Sequence, residues 1–285
     1  MTPHLSLADF QAEGKLQEGN LWVHRWQFRM SRGMLNGHFS LRPQGEGTAF
    51  ALMMKINQVD TGSLFRELET KQILEGKLDA EVELSGRGRS VAEWMAGLNG
   101  RTSAVMGQGR LQNKYLDLLG TDLAQSLLRL INPFRKEEDS TAFNCFVSGF
   151  EIKNGLATCS ALVLDTPHMN VVGGGEINLQ DEELNLSLQP SPKKGIGTEG
   201  LGKITMSLGQ LAKPFKLGGT LAHPSLAIDT RRAITTIGKA VGGVVLFGPA
   251  GVLAALAGTS SGDKNPCLAA VEVAKRGGRP SAGEK

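Results

Sequence analysis

Short strands of alternating polarity, punctuated by glycine, recur through most of this 285-residue chain and limit what it can fold into. The clearest stretch is Val171–Pro190, VVGGGEINLQDEELNLSLQP, where Ile177, Leu179, Leu184, Leu186 and Leu188 alternate with polar residues. Successive strand residues point to opposite faces, so a period of two gives one apolar and one wet face. Many such strands in one chain build an extended apolar surface, which is either a closed core or a groove for something oily.

Hydrophobic residues make up 40% of the chain and charged residues 21%, the balance of a globular protein. Aromatics are only 5% and glycines number 37, which suits many turns and bulges. A net charge of +3 is too mild for a nucleic-acid binder, and no basic run has interleaved aromatics. The opening, MTPHLSLADFQAEG, lacks the basic start and apolar core of a signal peptide. It reads as the middle of a strand-rich domain, so the expectation is that a membrane anchor or export signal lies upstream of Met1.

Residues 1–135 read as a β-rich repeat region with inserted helices. LWVHRWQFRM sets Trp22, His24, Trp26, Phe28 and Met30 on one face against Arg25, Gln27 and Arg29 on the other. GKLDAEVELSG alternates Leu78, Ala80, Val82 and Leu84 with Asp79, Glu81 and Glu83. Helices are expected over 61–75, over 90–98 behind a Ser90/Glu93 capping box, and over 114–131, where leucines recur at three and four. Pro133 and RKEEDS mark a boundary near 135–140.

Residues 140–230 read as an antiparallel β-meander. Asn154-Gly155 is the strongest two-residue hairpin signal. That turn sets Phe150 opposite Cys159, Ile152 opposite Ala157 and Phe146 opposite Val163. It gathers Phe146, Phe150, Ile152, Ala157, Ala161 and Val163 on one face. The next hairpin turns at QDEE, with Leu179 opposite Leu184 and Ile177 opposite Leu186. KITMSL and FKLGGTL continue the meander. Residues 231–270 form an apolar helical segment, uncharged from Ala240 to Gly258 but interrupted by Pro249. It either packs on the end of the sheet or, through 231–258, contacts a membrane. Residues 271–285 read as a disordered tail.

Candidate chemistry is sparse. Gly195–Gly200 matches GxGxxG, but SPKK precedes it and strand-like KITMSL follows, the wrong context for a dinucleotide. Lys193 and Lys194 beside it read as a solvated pair, with an anionic headgroup as the sharper alternative. The histidines (His4, His24, His38, His168, His223) have no metal-ligand spacing, and no GxSxG elbow is present. No cofactor, metal or catalytic residue is therefore expected. Cys145, Cys159 and Cys267 are too few for a disulfide framework. The hairpin register puts Cys145 opposite Leu164 and on the other face from Cys159, which argues against that pair. Cys145–Cys267 and buried free thiols both stay open.

The segment from about Gly76 to Ala270 resembles the C-terminal region of AsmA-like proteins. The resemblance is carried in order by LEGKLDAEVELSGRGRSVAEWMAGLNGR, GQGRLQNKYLDLLGTDL, FNCFVSGFEIKNGLATCSALVLDTPHMNVVGGGEINLQDEELNLSLQP, GGTLAHPSLAID and NPCLAA. Residues 1–60 look like an upstream repeat of the same family. The resemblance implies a Gram-negative envelope protein of the periplasm, anchored to the inner membrane by a helix absent from this chain and linked to outer-membrane assembly. It implies a β-groove that carries phospholipids and brings no catalytic residues.

Together these readings predict a mainly β protein: a curved antiparallel meander sheet forming a groove or sandwich, with inserted short helices and a C-terminal helical segment. The expected function is non-enzymatic guiding of phospholipid acyl chains, each buried methylene contributing about 0.8 kcal/mol. Phe150, Ile152, Ile177, Leu179, Leu184, Leu186, Ile204, Met206 and Leu208 are the candidate lipid-binding residues. The alternative is a scaffold with a closed core that assists outer-membrane protein assembly through an envelope-protein partner.

Overall fold

The computed structural model describes residues 6–113, 140–193, 215–228 and 266–276. Among them, thirteen strands form one antiparallel sheet that follows the chain with little rearrangement. β1 (Leu7–Gln17), β2 (Asn20–Met30), β3 (Gly33–Gln44) and β4 (Gly47–Asp60) are successive hairpins. β5 (Leu74–Gly88) and β6 (Asn99–Gln112) follow, and short β7 (Ser140–Phe143) pairs with the end of β6. β8 (Cys145–Lys153), β9 (Leu156–Asp165), β10 (Met169–Asn178), β11 (Glu183–Pro192), β12 (Phe215–Gly219) and β13 (Pro224–Ile228) complete the meander. The sheet runs unbroken across the 135–140 boundary, because Gly100–Met106 of β6 pairs with Phe146–Ile152 of β8. β1 and β13 are its two edges and do not pair, so the sheet is open.

Register explains why one face stays apolar over so many strands. Phe39 pairs with Leu52, Leu52 with Leu84, and Met54 with Val82. Further along, Phe150 pairs with Cys159, Ile177 with Leu184, and Leu186 with Leu217. Directly opposed residues share a face, so these pairs extend one stripe along the sheet.

Two bulges and one turn correct three of the sequence readings. In β2 the pairing steps from Val23/Phe39 to Trp26/Gly37, which leaves an extra residue at His24-Arg25. Leu21 and Val23 therefore join Trp26, Phe28 and Met30 on the apolar face, and Trp22 and His24 do not. In β9 the pairing steps from Phe150/Cys159 to Gly149/Ala161, so Ser160 is the extra residue. Phe146 consequently lies opposite Leu164 and Cys145 opposite Asp165. A bulge reverses the alternation beyond it. Ala157 and Cys159 stay on the face of Phe150, while Ala161 and Val163 turn to the other face. The third change is at the β10–β11 turn, where Ile177 pairs with Leu184 and Gly175 with Leu186. The Asn178 side chain accepts from the Gln180 amide (3.0 Å) and donates to Asp181 (2.7 Å), so the loop is the four residues 179–182. A slip of two residues preserves the face, so the apolar pattern alone does not distinguish the two registers. The β8–β9 turn is as expected, with Asn154 (φ 49°) and Gly155 (φ 77°) both left-handed as a type I′ turn requires.

The helices are short. α1 (Thr61–Glu67) occupies only the first half of the predicted 61–75: Asp60 caps it by accepting from the Ser63 amide (2.8 Å), and left-handed Glu69 (φ 52°) ends it before β5 begins at Leu74. α2 (Val91–Ala96) lies within the predicted 90–98, capped by Ser90 accepting from the Glu93 amide. The predicted helix over 114–131 lies outside the described residues, as do KITMSL, the GxGxxG loop and the apolar stretch 231–258.

The expected disordered tail is corrected over residues 271–276 by α3 (Pro266–Arg276), and its remainder lies outside the described residues. The buried α3 residues Cys267, Ala270 and Ala274 recur at three and four and pack on Cys145, Val147, Ala161, Val163 and Val172. Small side chains on both sides let helix and sheet approach closely. A Cβ on Gly149 would lie 2.9 Å from the Ala274 backbone and 2.7 Å from the Ser160 hydroxyl. Cys145 and Cys267 form a disulfide that joins α3 to β8 across 122 residues, with Cα atoms 6.4 Å apart. Closing so long a loop in the unfolded chain contributes about 4–5 kcal/mol in the chain-entropy view. Gly149→Val is expected to lift α3 off the sheet, lowering stability by about 1–3 kcal/mol. Hydrogen exchange that rises selectively in residues 266–276 would register it.

Candidate functional site

The apolar face is the surface with chemical potential. On β4 and β5 it presents Leu52, Met54, Ile56, Leu78, Ala80 and Val82, all half-buried. Toward the first edge it carries an aromatic row: the Trp26 and Phe28 rings are 5.6 Å apart, and Phe10 and Phe28 6.4 Å. Trp26 lies across Gly37, its cross-strand partner, whose missing side chain leaves room for the indole. Toward the other edge the face continues through Leu162, Leu164, Val171, Leu188, Phe215 and Leu217.

One end of this face is plugged. α2 and the residues after it fold over the sheet, and Leu98 packs with Ile152 and Ala157 among Phe50, Leu84, Met95, Phe150, Ile177 and Leu179. Trp94 anchors the plug through its ring, 5.1 Å from Phe50, and its indole N–H, which donates to the carbonyls of Thr48 (3.1 Å) and Gly88 (3.0 Å). Glu93 closes the cap from outside, accepting from the Arg89 backbone N–H at 2.9 Å. That bond outweighs the opposing effect of desolvation and, with a lesser contribution from the Arg89 charge, holds its carboxyl below the usual range.

The opposite face differs between the two halves. On β4–β6 it is charged, with Lys55 paired to Glu81 (3.3 Å) and Arg101 to Glu83 (2.7 Å), each directly across the strands. These pairs are exposed and contribute little beyond keeping that face wet. A cleft of about 120 Å³ lies among them and against Ala274 and Lys275, too small and too charged for an acyl chain. On β8–β10 the opposite face is apolar and α3 covers it.

The predicted site residues fall together only in part. Phe150, Ile152, Ile177, Leu184 and Leu186 share the apolar face, and Leu179 packs into the plug. Ile152, Leu184 and Leu186 are 6–7% exposed, whereas Phe150, Ile177 and Leu179 are half-buried. Ile204, Met206 and Leu208 lie outside the described residues. The half-buried part of the face from Leu52 to Val82 was not among the predicted residues. Its signal was the alternation in TAFALMMKINQ and GKLDAEVELSG. Lys193 is not a solvated lysine: its ammonium lies 2.6 Å from Asp165, whose side chain is 7% exposed. Cys159 is a buried free thiol, and burial pushes its pKa up to about 12. Among the described residues no three His, Cys, Asp or Glu side chains converge as a metal site. No helix among them is long and apolar enough to cross a membrane.

An open antiparallel meander with one continuous apolar face, plugged at one end, defines a sheet protein built around a surface rather than a polar pocket. The AsmA family model matches residues 1–162, and the chain belongs to that family, one linked to envelope and outer-membrane biogenesis. It is 24% identical over 277 residues to the AsmA family protein YhjG of Escherichia coli (strain K12), covering 95% of this chain and 38% of YhjG. The chain thus spans well under half the length of the curated relative it matches. No solved structure matches it.

Two outcomes are expected from this geometry. Because the folded-state pKa of Glu93 is lowered, the cap is intact above the ordinary carboxylate range and loosens as pH falls through the lowered value. An NMR pH titration should give Glu93 a midpoint below the ordinary glutamate range, and Ser90→Ala should move it upward. Cys159 should resist alkylation at pH 8 in the folded protein and react after denaturation, as read by mass spectrometry.

Proposed function

We propose that this chain is a non-enzymatic guide for phospholipid acyl chains, acting in the periplasm in support of outer-membrane biogenesis. The observation that carries the reading is the half-buried apolar stripe on β4 and β5, at Leu52, Met54, Ile56, Leu78, Ala80 and Val82, continuous with the apolar residues of the neighbouring strands. Acyl chains need a dry, continuous surface and no polar constellation, and each methylene removed from water is worth about 0.8 kcal/mol. Ten methylenes lying along the strands would supply about 8 kcal/mol before the cost of ordering the chain. The headgroup would stay at the wet margin, with only the tails on the sheet. In this reading the α2 plug stops a tail at one end, so that lipid enters and leaves from the other. Phe150, Ile152, Ile177 and Leu179 line the plugged end, and Leu184 and Leu186 continue the same face beside it.

The test is mass spectrometry of lipids that copurify with the folded protein, comparing the parent with a Met54→Glu/Val82→Glu variant. These two residues are cross-strand neighbours on the open part of the stripe. The parent should carry phospholipid near one molecule per chain. The variant should lose at least ten-fold while keeping its strand circular dichroism. Absence of lipid from a folded parent, together with crosslinks to one envelope protein, would replace this reading with the scaffold.

A further inference from the structure

The three cysteines pair in an order that the growing chain would not choose. The disulfide joins the first and the third, Cys145 and Cys267, and skips Cys159 between them. Cys145 and Cys159 are 14 residues apart in sequence. Cys145 and Cys267 are separated by 122. Loop closure scales as about the three-halves power of length, so an unfolded chain brings Cys145 to Cys159 about 25-fold more often than to Cys267. Synthesis at about 5–20 residues per second also leaves Cys145 without Cys267 for about 6–24 s, time enough for a bond to form.

That early bond is incompatible with the fold. Cys159 pairs with Phe150, and Cys145 lies five residues further along β8, about 17 Å away at strand rise. The two thiols also leave opposite faces of the sheet: Cys145 is under α3, and Cys159 is on the side of Phe150. A disulfide needs Cα atoms within about 7 Å, so a chain joined at Cys145 and Cys159 cannot form the β8–β9 hairpin.

We propose that the native disulfide is reached through a transient Cys145–Cys159 bond that is then exchanged, and that a thiol–disulfide isomerase is therefore a folding partner of this chain. In the first step a disulfide-bearing oxidase takes two electrons from the Cys145 and Cys159 thiols. Their sulfurs join, and the two protons they lose pass to the oxidase, whose disulfide becomes a dithiol. In the second step the isomerase thiolate attacks Cys145 Sγ, and Cys159 leaves as a thiolate that takes up a proton. The Cys267 thiolate then attacks Cys145 Sγ and returns the isomerase thiolate, with no net oxidation. Folding drives the exchange forward, because the released Cys159 is buried 4% exposed in the sheet and its thiolate is suppressed there.

The test refolds the full reduced, denatured chain in oxidised glutathione, quenches in acid at intervals and maps disulfides by non-reducing peptide mass spectrometry. Purified protein disulfide isomerase is added in a second arm. Cys145–Cys159 should dominate the earliest single-disulfide species, and the isomerase should speed appearance of Cys145–Cys267 several-fold. Cys159→Ala should form the native bond at the same rate in both arms. The time course of the parent stands without that variant, should it fold poorly. Cys145–Cys267 appearing first, or a parent rate unchanged by the isomerase, would overturn the proposal.

Discussion

Cross-strand register is the constraint on which the rest of this structure depends. With a side-chain period of two, a slip of one residue between any neighbouring strands would turn one side of the sheet inside out. The observed pairing avoids this at every junction. Leu35 meets Ile56, Ile56 meets Ala80, and Ala80 meets Ala104, so one apolar row crosses β3 to β6 without a break. The sheet pays for its length in bulges, which absorb mismatch and add twist. Where they occur they decide which side chains look inward.

The Ser160 bulge does the most with one residue. It reverses the alternation of β9, so that Ala157 and Cys159 before it lie on the face of Phe150 while Ala161 and Val163 beyond it face α3. The second half of the sheet is thereby apolar on both faces, and one of them needs a cover. α3 supplies it with small residues, Ala270 and Ala274, the second set against Gly149. So short a helix would be marginal by itself. The disulfide to β8 makes its docking effectively intramolecular and stabilises it.

The first half has no such need, because its second face is a ladder of charges. Lys55, Glu81, Glu83 and Arg101 keep that side wet, which leaves the other side as the single apolar surface of β4 and β5. For the lipid guide proposed above, a surface serves better than a pocket with convergent acids and bases, because an acyl chain is recognised by length and apolarity. The α2 plug gives the surface direction: Trp94, tied to two backbone carbonyls, closes one end with a fixed wall. Membership of a family linked to outer-membrane biogenesis fits a protein organised in this way.

Local chemistry determined a good deal of this. Alternation in GKLDAEVELSG made a strand with Leu78 to Leu84 on one face. Asn154-Gly155 made a type I′ turn, because those two residues tolerate left-handed backbone best. Ser90 and Glu93 capped a helix. Each of these rests on contacts within a few residues, which a sequence carries by itself. The positions of the bulges, the two-residue slip at the β10–β11 turn, the ion pair of Lys193 with Asp165 and the choice of Cys267 for Cys145 came only with the tertiary structure. A bulge or an even slip leaves the apolar pattern nearly unchanged, and residues 122 apart have no local signal of their meeting. The alternation determined that there would be an apolar face. Its continuity, its plugged end and the helix behind it were decided by packing between strands far apart in the chain, because only there do the competing registers differ in what they bury.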